Sequence, residues 1–136
     1  MTDLKTQTVQ IRTPEQLSSA RRLVLEWCTR LAFPAVDRTK FVTAASELGR
    51  NVLVHGMGGS MTIDELLSNG RSGLRLIFQD QGPGIVDVEQ AMTDGFSTAR
   101  SMGLGLGGAK RLVNEFTLAS QPGVGTTVTV IQWKRR

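Results

Sequence analysis

The sequence predicts an α/β fold of the α+β two-layer kind: a mixed, mostly antiparallel sheet with helices packed on one face. Three observations carry that expectation. Residues 5–12 and 126–133 alternate apolar and polar side chains, the period of a half-buried strand. Between residues 14 and 55 apolar residues recur at helical spacing in two successive stretches. The chain has 136 residues, 40% of them hydrophobic and 21% charged, enough for one core and too few for two, so residues 1–136 are expected to form a single domain.

Taken in order, Val9 and Ile11 share one face of a first strand. Thr13-Pro14-Glu15 is a helix start, with Thr13 as N-cap and Pro14 in the first helical position. Leu17, Ala20, Val24, Cys28 and Leu31 then fall on one face, and Phe33-Pro34 ends that helix. Asp37 is expected to cap a second helix running to about His55, with Phe41, Ala45, Leu48 and Val52 as its buried stripe and Gly56 as its stop. A hairpin follows, with strands at about 60–67 and 74–78 joined through Ser68-Asn69-Gly70. Gln81-Gly82-Pro83-Gly84 reads as a turn, 87–92 as a short helical piece, and 93–102 as a polar loop over a site. A helix to about Phe116, a strand at 117–121, a turn at 122–125 and a last strand at 126–133 complete the chain.

Composition narrows the function classes. Met1 is followed by polar residues and no apolar run approaches 18 residues, so neither a signal peptide nor a membrane span is expected. One cysteine, Cys28, and one histidine, His55, leave no all-protein zinc site, and an unpaired cysteine suits a reducing, cytoplasmic setting. The net charge of +4 is scattered except for Lys134-Arg135-Arg136, and tyrosine is absent. That is not the clustered basic footprint of a nucleic-acid binder.

The chemistry concentrates in the run Gly103-Leu104-Gly105-Leu106-Gly107-Gly108. Glycines at alternate positions let backbone N–H groups converge on one point, and a helix starting just afterwards adds its own N–H groups and positive dipole end. Such a cradle suits phosphate, although a glycine-rich turn is by itself often only a turn. Glu47 and Asn51 lie four residues apart and therefore share a helix face, about a quarter-turn from the apolar stripe, at the rim of the core. His55 falls near that stripe at the helix end and is expected to be structural.

Four motifs thus stand in fixed order: Glu47-Leu-Gly-Arg-Asn51 on a helix, Asp80-Gln-Gly-Pro-Gly84 at a strand end, Gly103-Leu-Gly-Leu-Gly107 before a helix, and Gly123-Val-Gly-Thr-Thr127 in a hairpin. The set resembles the N, G1, G2 and G3 boxes of the GHKL ATPases, whose ATP-binding domain has the Bergerat fold. Without a phosphoacceptor-helix domain, the chain is most similar to the bacterial anti-sigma-factor serine kinases. Among these it resembles the stressosome switch kinases, in Ala45-Ser-Glu-Leu48, Asp80-Gln-Gly-Pro-Gly-Ile85, Asp94-Gly-Phe-Ser-Thr98, Lys110-Arg-Leu112, Glu115-Phe116 and Trp133. That resemblance covers nearly the whole chain. The glycine run departs from it, because such kinases can carry Ala or Pro within the run.

The resemblance implies a protein serine/threonine kinase using ATP and Mg²⁺. Glu47 would accept the proton of the substrate hydroxyl, and Asn51 would offer a neutral oxygen to Mg²⁺. Asp80 would receive the adenine amino group, with Gly82 and Gly84 admitting the ring. One of Thr126 and Thr127 would support Asp80, since neighbouring strand residues face opposite ways. Gly103, Leu104, Gly105, Leu106 and Gly107 would hold the phosphates, with Lys110 and Arg100 as candidate extra cations. Implied partners are STAS-domain scaffold and antagonist proteins and a PP2C-type phosphatase or other output protein. The alternative is an anti-sigma factor of the same fold, whose partner would be a sigma subunit. Neither nucleic acid nor membrane is expected as a partner.

Overall fold

The structure, a computed structural model, describes residues 5–84 and 106–135. Its strands are β1 (Thr6–Ile11), β2 (Gly59–Ser68), β3 (Arg71–Asp80), β4 (Glu115–Gln121) and β5 (Gly125–Trp133). They form one sheet in the order β1-β2-β3-β5-β4. All four ladders among the described residues are antiparallel, so no parallel pairing accompanies them. The helices are α1 (Pro14–Arg30), α2 (Ala35–Val54) and α3 (Leu106–Arg111). The two-layer α+β architecture read from the sequence is the one observed.

Helix α1 forms as its first residues dictate. The Thr13 side chain accepts the Gln16 N–H at 3.1 Å, and Pro14 follows where no N–H is required. The helix ends in a Schellman arrangement: Phe33 N–H reaches Cys28 O at 2.9 Å and Ala32 N–H reaches Thr29 O at 3.0 Å, with Ala32 left-handed at φ 58°. Ala20, Val24 and Cys28 are buried as the periodicity predicts, joined by Trp27. Arg30 lies 4.8 Å over the Trp27 ring.

Helix α2 lies against α1 on one side and the sheet on the other. Its expected stripe, Phe41, Ala45, Leu48 and Val52, is buried throughout. It meets Ile11, Met61, Ile63, Leu76, Phe78, Val128 and Val130 from one sheet face in a single hydrophobic core. Each large side chain removed from water there contributes about 1.5–3 kcal/mol. The start of α2 differs from expectation. The N-cap is Pro34, which makes no side-chain cap, and Asp37 sits inside the first turn, buried, with Arg135 on its carboxylate.

The end of the glycine run also differs. Helix α3 takes in Leu106–Arg111, so Gly107 and Gly108 are helical, and it closes at Arg111 rather than near Phe116. Leu112 N–H turns back to Ala109 O at 3.0 Å, and Asn114 N–H is taken by Ile131 O and Gln132 Oε1, at 3.1 and 3.0 Å. Those bonds draw the chain into the sheet, and β4 begins two residues earlier than its apolar pattern indicates. The expected helical piece at 87–92 and the expected loop at 93–102 lie outside the described residues.

Candidate functional site

The site grows from the end of the central strand. Asp80 is the last residue of β3, directly opposite Gly59 of β2 and Thr126 of β5. Its Oδ1 accepts the Gly82 N–H at 2.9 Å, which sets the carboxylate plane. Glycines surround it because nothing larger fits. A Cβ on Gly56 would lie 2.4 Å from the Asp80 carboxyl carbon, one on Gly125 would lie 2.2 Å from the Asp80 carbonyl oxygen, and one on Gly82 would lie 2.8 Å from Gly56 Cα. The end of α2, the turn after β3 and the β4–β5 hairpin therefore meet around one carboxylate.

The hairpin is fastened to that turn. Gly123 N–H donates to Pro83 O at 2.7 Å, and a Cβ on Gly84 would lie 2.3 Å from Gln121 O. Gly84 itself has φ +76°, a left-handed value natural only to glycine. The motifs around Asp80 and around Thr126 are thus one structural unit.

Register separates the two threonines. Thr126 is opposite Asp80 and Thr127 is opposite Gln79. Because alternate strand residues face opposite ways, Thr126 shares the helix-side face with Asp80 and Thr127 belongs to the other. The Thr126 hydroxyl lies 3.0 Å from Ser120 Oγ, which is also 3.2 Å from Gly125 O. Gly56 and Ser120 belong to no motif that marks them as site residues, and Gly125 stands in the hairpin motif without an assigned role. Gly56 read as a helix stop, and its contact with Asp80 spans 24 positions, which no local pattern records.

Glu47 and Asn51 are both half-buried on α2, one turn apart, with Asn51 Oδ1 shielded from solvent. Asn51 O accepts the N–H groups of His55 and Gly56 at 2.9 and 2.8 Å, so the helix turn carrying Asn51 leads straight into the glycine against Asp80. His55 is the C-cap of α2, a structural position. On α3, Leu106 buries its side chain in the core beside Ala109, leaving its backbone as what it can offer a ligand; Gly107 is half-buried and Lys110 exposed. Arg100, Gly103, Leu104 and Gly105 lie outside the described residues.

A cavity of about 1040 Å³ opens at this end of the sheet, lined by Asp80, Thr126 and Thr127 but not by Glu47 or Asn51. Among the described residues no group of three His, Cys, Asp or Glu side chains is placed to hold a metal ion. Asn51 carries a neutral amide oxygen, a donor type that suits a hard divalent ion keeping water and phosphate as its other ligands.

The family described as Histidine kinase-like ATPase domain matches residues 12–132. The chain belongs to that family. It is 42% identical over 127 residues to the serine/threonine-protein kinase RsbT of Bacillus subtilis (strain 168), covering 93% of this chain and 96% of the relative. It is 30% identical over 122 residues to the anti-sigma F factor of Thermoanaerobacter sp. (strain X514), covering 85% and 84%. In structure it is similar to the RsbU and RsbW domains of Rv1364c from Mycobacterium tuberculosis, with TM-score 0.63 and 21% identity. That match covers 99% of this chain and 34% of the longer one, and it supports the fold alone. The GHKL resemblance read from the four motifs and the switch-kinase resemblance read from the segments around them are therefore borne out, and histidine kinase-like ATPase membership carries ATP use with it. No helix among the described residues is long and apolar enough to cross a membrane.

Proposed function

We propose that this family member is a cytoplasmic protein serine/threonine kinase that transfers the γ-phosphate of ATP to a serine or threonine of a STAS-domain partner. The observation that carries the reading is the junction at Gly56. It joins the helix bearing Glu47 and Asn51 to the carboxylate of Asp80, so a nucleotide whose base amino group meets Asp80 would extend toward α2. Asn51 would hold Mg²⁺, which when bound neutralises phosphate charge during transfer. Glu47, one turn earlier on the same helix, would orient the hydroxyl and accept its proton. Asp80 with Thr126 would select adenine, and Gly82 and Gly84 would admit the ring. Gly103, Leu104, Gly105, Leu106 and Gly107 would wrap the phosphates, with Lys110 and Arg100 supplying charge. The 42% identity to a protein named as a serine/threonine-protein kinase supports the same reading.

Function would then proceed by partner exchange. Phosphate added to the STAS protein places charge at the contact and weakens it, freeing the kinase to bind a PP2C-type phosphatase or another output protein. The 30% identity to an anti-sigma F factor favours one second reading, capture of a sigma subunit. The test is incorporation of labelled γ-phosphate from ATP·Mg²⁺ into a cognate STAS protein by wild type, Glu47→Ala and Asn51→Ala. Transfer by wild type that both variants lose, with STAS binding intact, supports the kinase. No transfer, together with ATP-dependent binding of a sigma subunit, supports the second reading.

A further inference from the structure

The cavity at the sheet end has two sides. Asp80 and Thr126 stand on the helix side. On the opposite face, one register row runs Gln10, Ser60, Gln79 and Thr127 across four strands, and all four line the cavity. Amide and hydroxyl groups at strand spacing both donate and accept hydrogen bonds, and so match the peptide groups of a chain laid across them.

Two residues at the rim define what such a chain should carry. Arg12 is exposed and is held in place: its Nε–H donates to Gln10 Oε1 at 3.1 Å, and it lies over Gly58, where a Cβ would come 3.2 Å from both its Cγ and its Nη1. Among the described residues lining the cavity Arg12 is the cation and Asp80 the acid, and Asp80 faces the other way. Met57 is stranger. It has φ +61° between Gly56 and Gly58, a left-handed conformation that disfavours any side chain, yet its side chain is 74% exposed. The turn closes through the backbone, Gly58 N–H to Val52 O at 2.8 Å, and a glycine would serve it better. A methionine held there against its backbone preference, with little burial in return, fits an adaptable contact for an outside surface.

We propose that this outer side of the cavity docks an extended, acidic segment of a partner protein, with a carboxylate on Arg12 and an apolar side chain against Met57. The proposal rests on the reading of the chain as a kinase that exchanges protein partners, and it adds a contact surface separate from Glu47 and Asn51. A protein segment fits better than nucleic acid, because among the described residues no aromatic side chain lines the cavity for base stacking.

The probe is a fluorescein-labelled peptide carrying Glu-Leu-Glu-Val in a Gly/Ser context, with a lysine-for-glutamate peptide as control, read by anisotropy against the full chain. Wild type should bind the acidic peptide and not the lysine peptide. Arg12→Glu should weaken binding about tenfold, and Met57→Gly about threefold while raising Tm, since glycine relieves the left-handed strain. Binding of a fluorescent ATP analogue should be unchanged in both variants. No binding of the acidic peptide at millimolar concentration, equal binding by wild type and Arg12→Glu, or a lowered Tm in Met57→Gly would each overturn the proposal. Loss of nucleotide binding in wild type itself would count against the kinase reading instead.

Discussion

Arg135 grips Asp37 with two parallel hydrogen bonds, Nε to Oδ2 at 2.8 Å and Nη2 to Oδ1 at 3.0 Å, across 98 positions of sequence. The carboxylate is buried and the guanidinium largely exposed. The same chain end is tied to β3, through Arg71 Nε–H to Lys134 O at 2.6 Å and Lys134 N–H to Ser72 O at 2.8 Å. The last residues thus fasten the start of α2 to the sheet. Removing Arg135 would leave a carboxylate inside the protein without its bidentate partner, whereas removing the carboxylate leaves only an arginine in water. Arg135→Ala should therefore lower Tm more than Asp37→Asn, and the double variant should fall short of the sum of the two. Thermal unfolding of the four proteins checks this.

The facing of the two threonines makes a second prediction. Thr126→Val, on the Asp80 side, should weaken nucleotide binding by about 1 kcal/mol, close to a hydrogen bond's net worth. Thr127→Val, on the opposite face, should leave it unchanged. Asp80→Asn should cost more than either, about 1.5–3 kcal/mol, because a charged acceptor is lost. Calorimetric titration with ATP distinguishes the three.

Two glycines make opposite predictions. A methyl group on Gly56 would meet the Asp80 carboxyl carbon at 2.4 Å, whereas one on Gly108 meets nothing within 4 Å. Gly56→Ala should displace Asp80 and reduce nucleotide affinity at least as far as Asp80→Asn does. Gly108→Ala, in a helix, should stabilise the fold by about 0.5–1 kcal/mol. Paired measurements of ATP affinity and urea unfolding test both.

Cys28 is fully buried, and burial pushes its thiol up to about 12, partly opposed by the charge of Arg38. Its proton is held more tightly in the folded than in the unfolded chain. The resulting stability is present in full below about pH 9, the ordinary thiol value, and is lost as pH rises from there toward 12. Cys28→Ala should flatten that alkaline decline while costing stability at neutral pH through the space it leaves. At pH 8 the native thiol should resist a disulfide reagent that labels the unfolded chain rapidly.

Strand alternation and helical spacing were enough to place β1, α1, α2 and the β2–β3 hairpin, because in these elements local pattern and tertiary burial agree. The stripe of Phe41, Ala45, Leu48 and Val52 is the clearest case. Asp37 misled because a carboxylate near a helix start ordinarily caps it, and the arginine that claims it instead is 98 positions away. The apolar pattern after the glycine run overstates the length of α3, which ends at Arg111. Leu112, Val113 and Phe116 keep a helix-compatible spacing, while Asn114 is captured by strand β5. In the site, Asp80, Gly82 and Gly84 could be read as a motif. Gly56 and Ser120 could not, since their significance is a contact rather than a pattern.

Between Asp80 and Glu115 the described residues contribute no strand, and α3 is the element described there. Within the sheet, hairpins join β2 to β3 and β4 to β5, so a residue added to or lost from those tight turns disturbs a ladder. A connection that crosses no ladder tolerates changes of length far better, since doubling a loop's length costs only about 0.6 kcal/mol. The glycine run stands in sequence between β3 and β4, while Asp80 and Thr126 stand at strand ends. Evolution can thus lengthen, shorten or rewrite the part of the chain expected to cover the phosphates without moving the residues expected to read the base. One sheet could in this way serve proteins that hold the same nucleotide and release it on very different schedules.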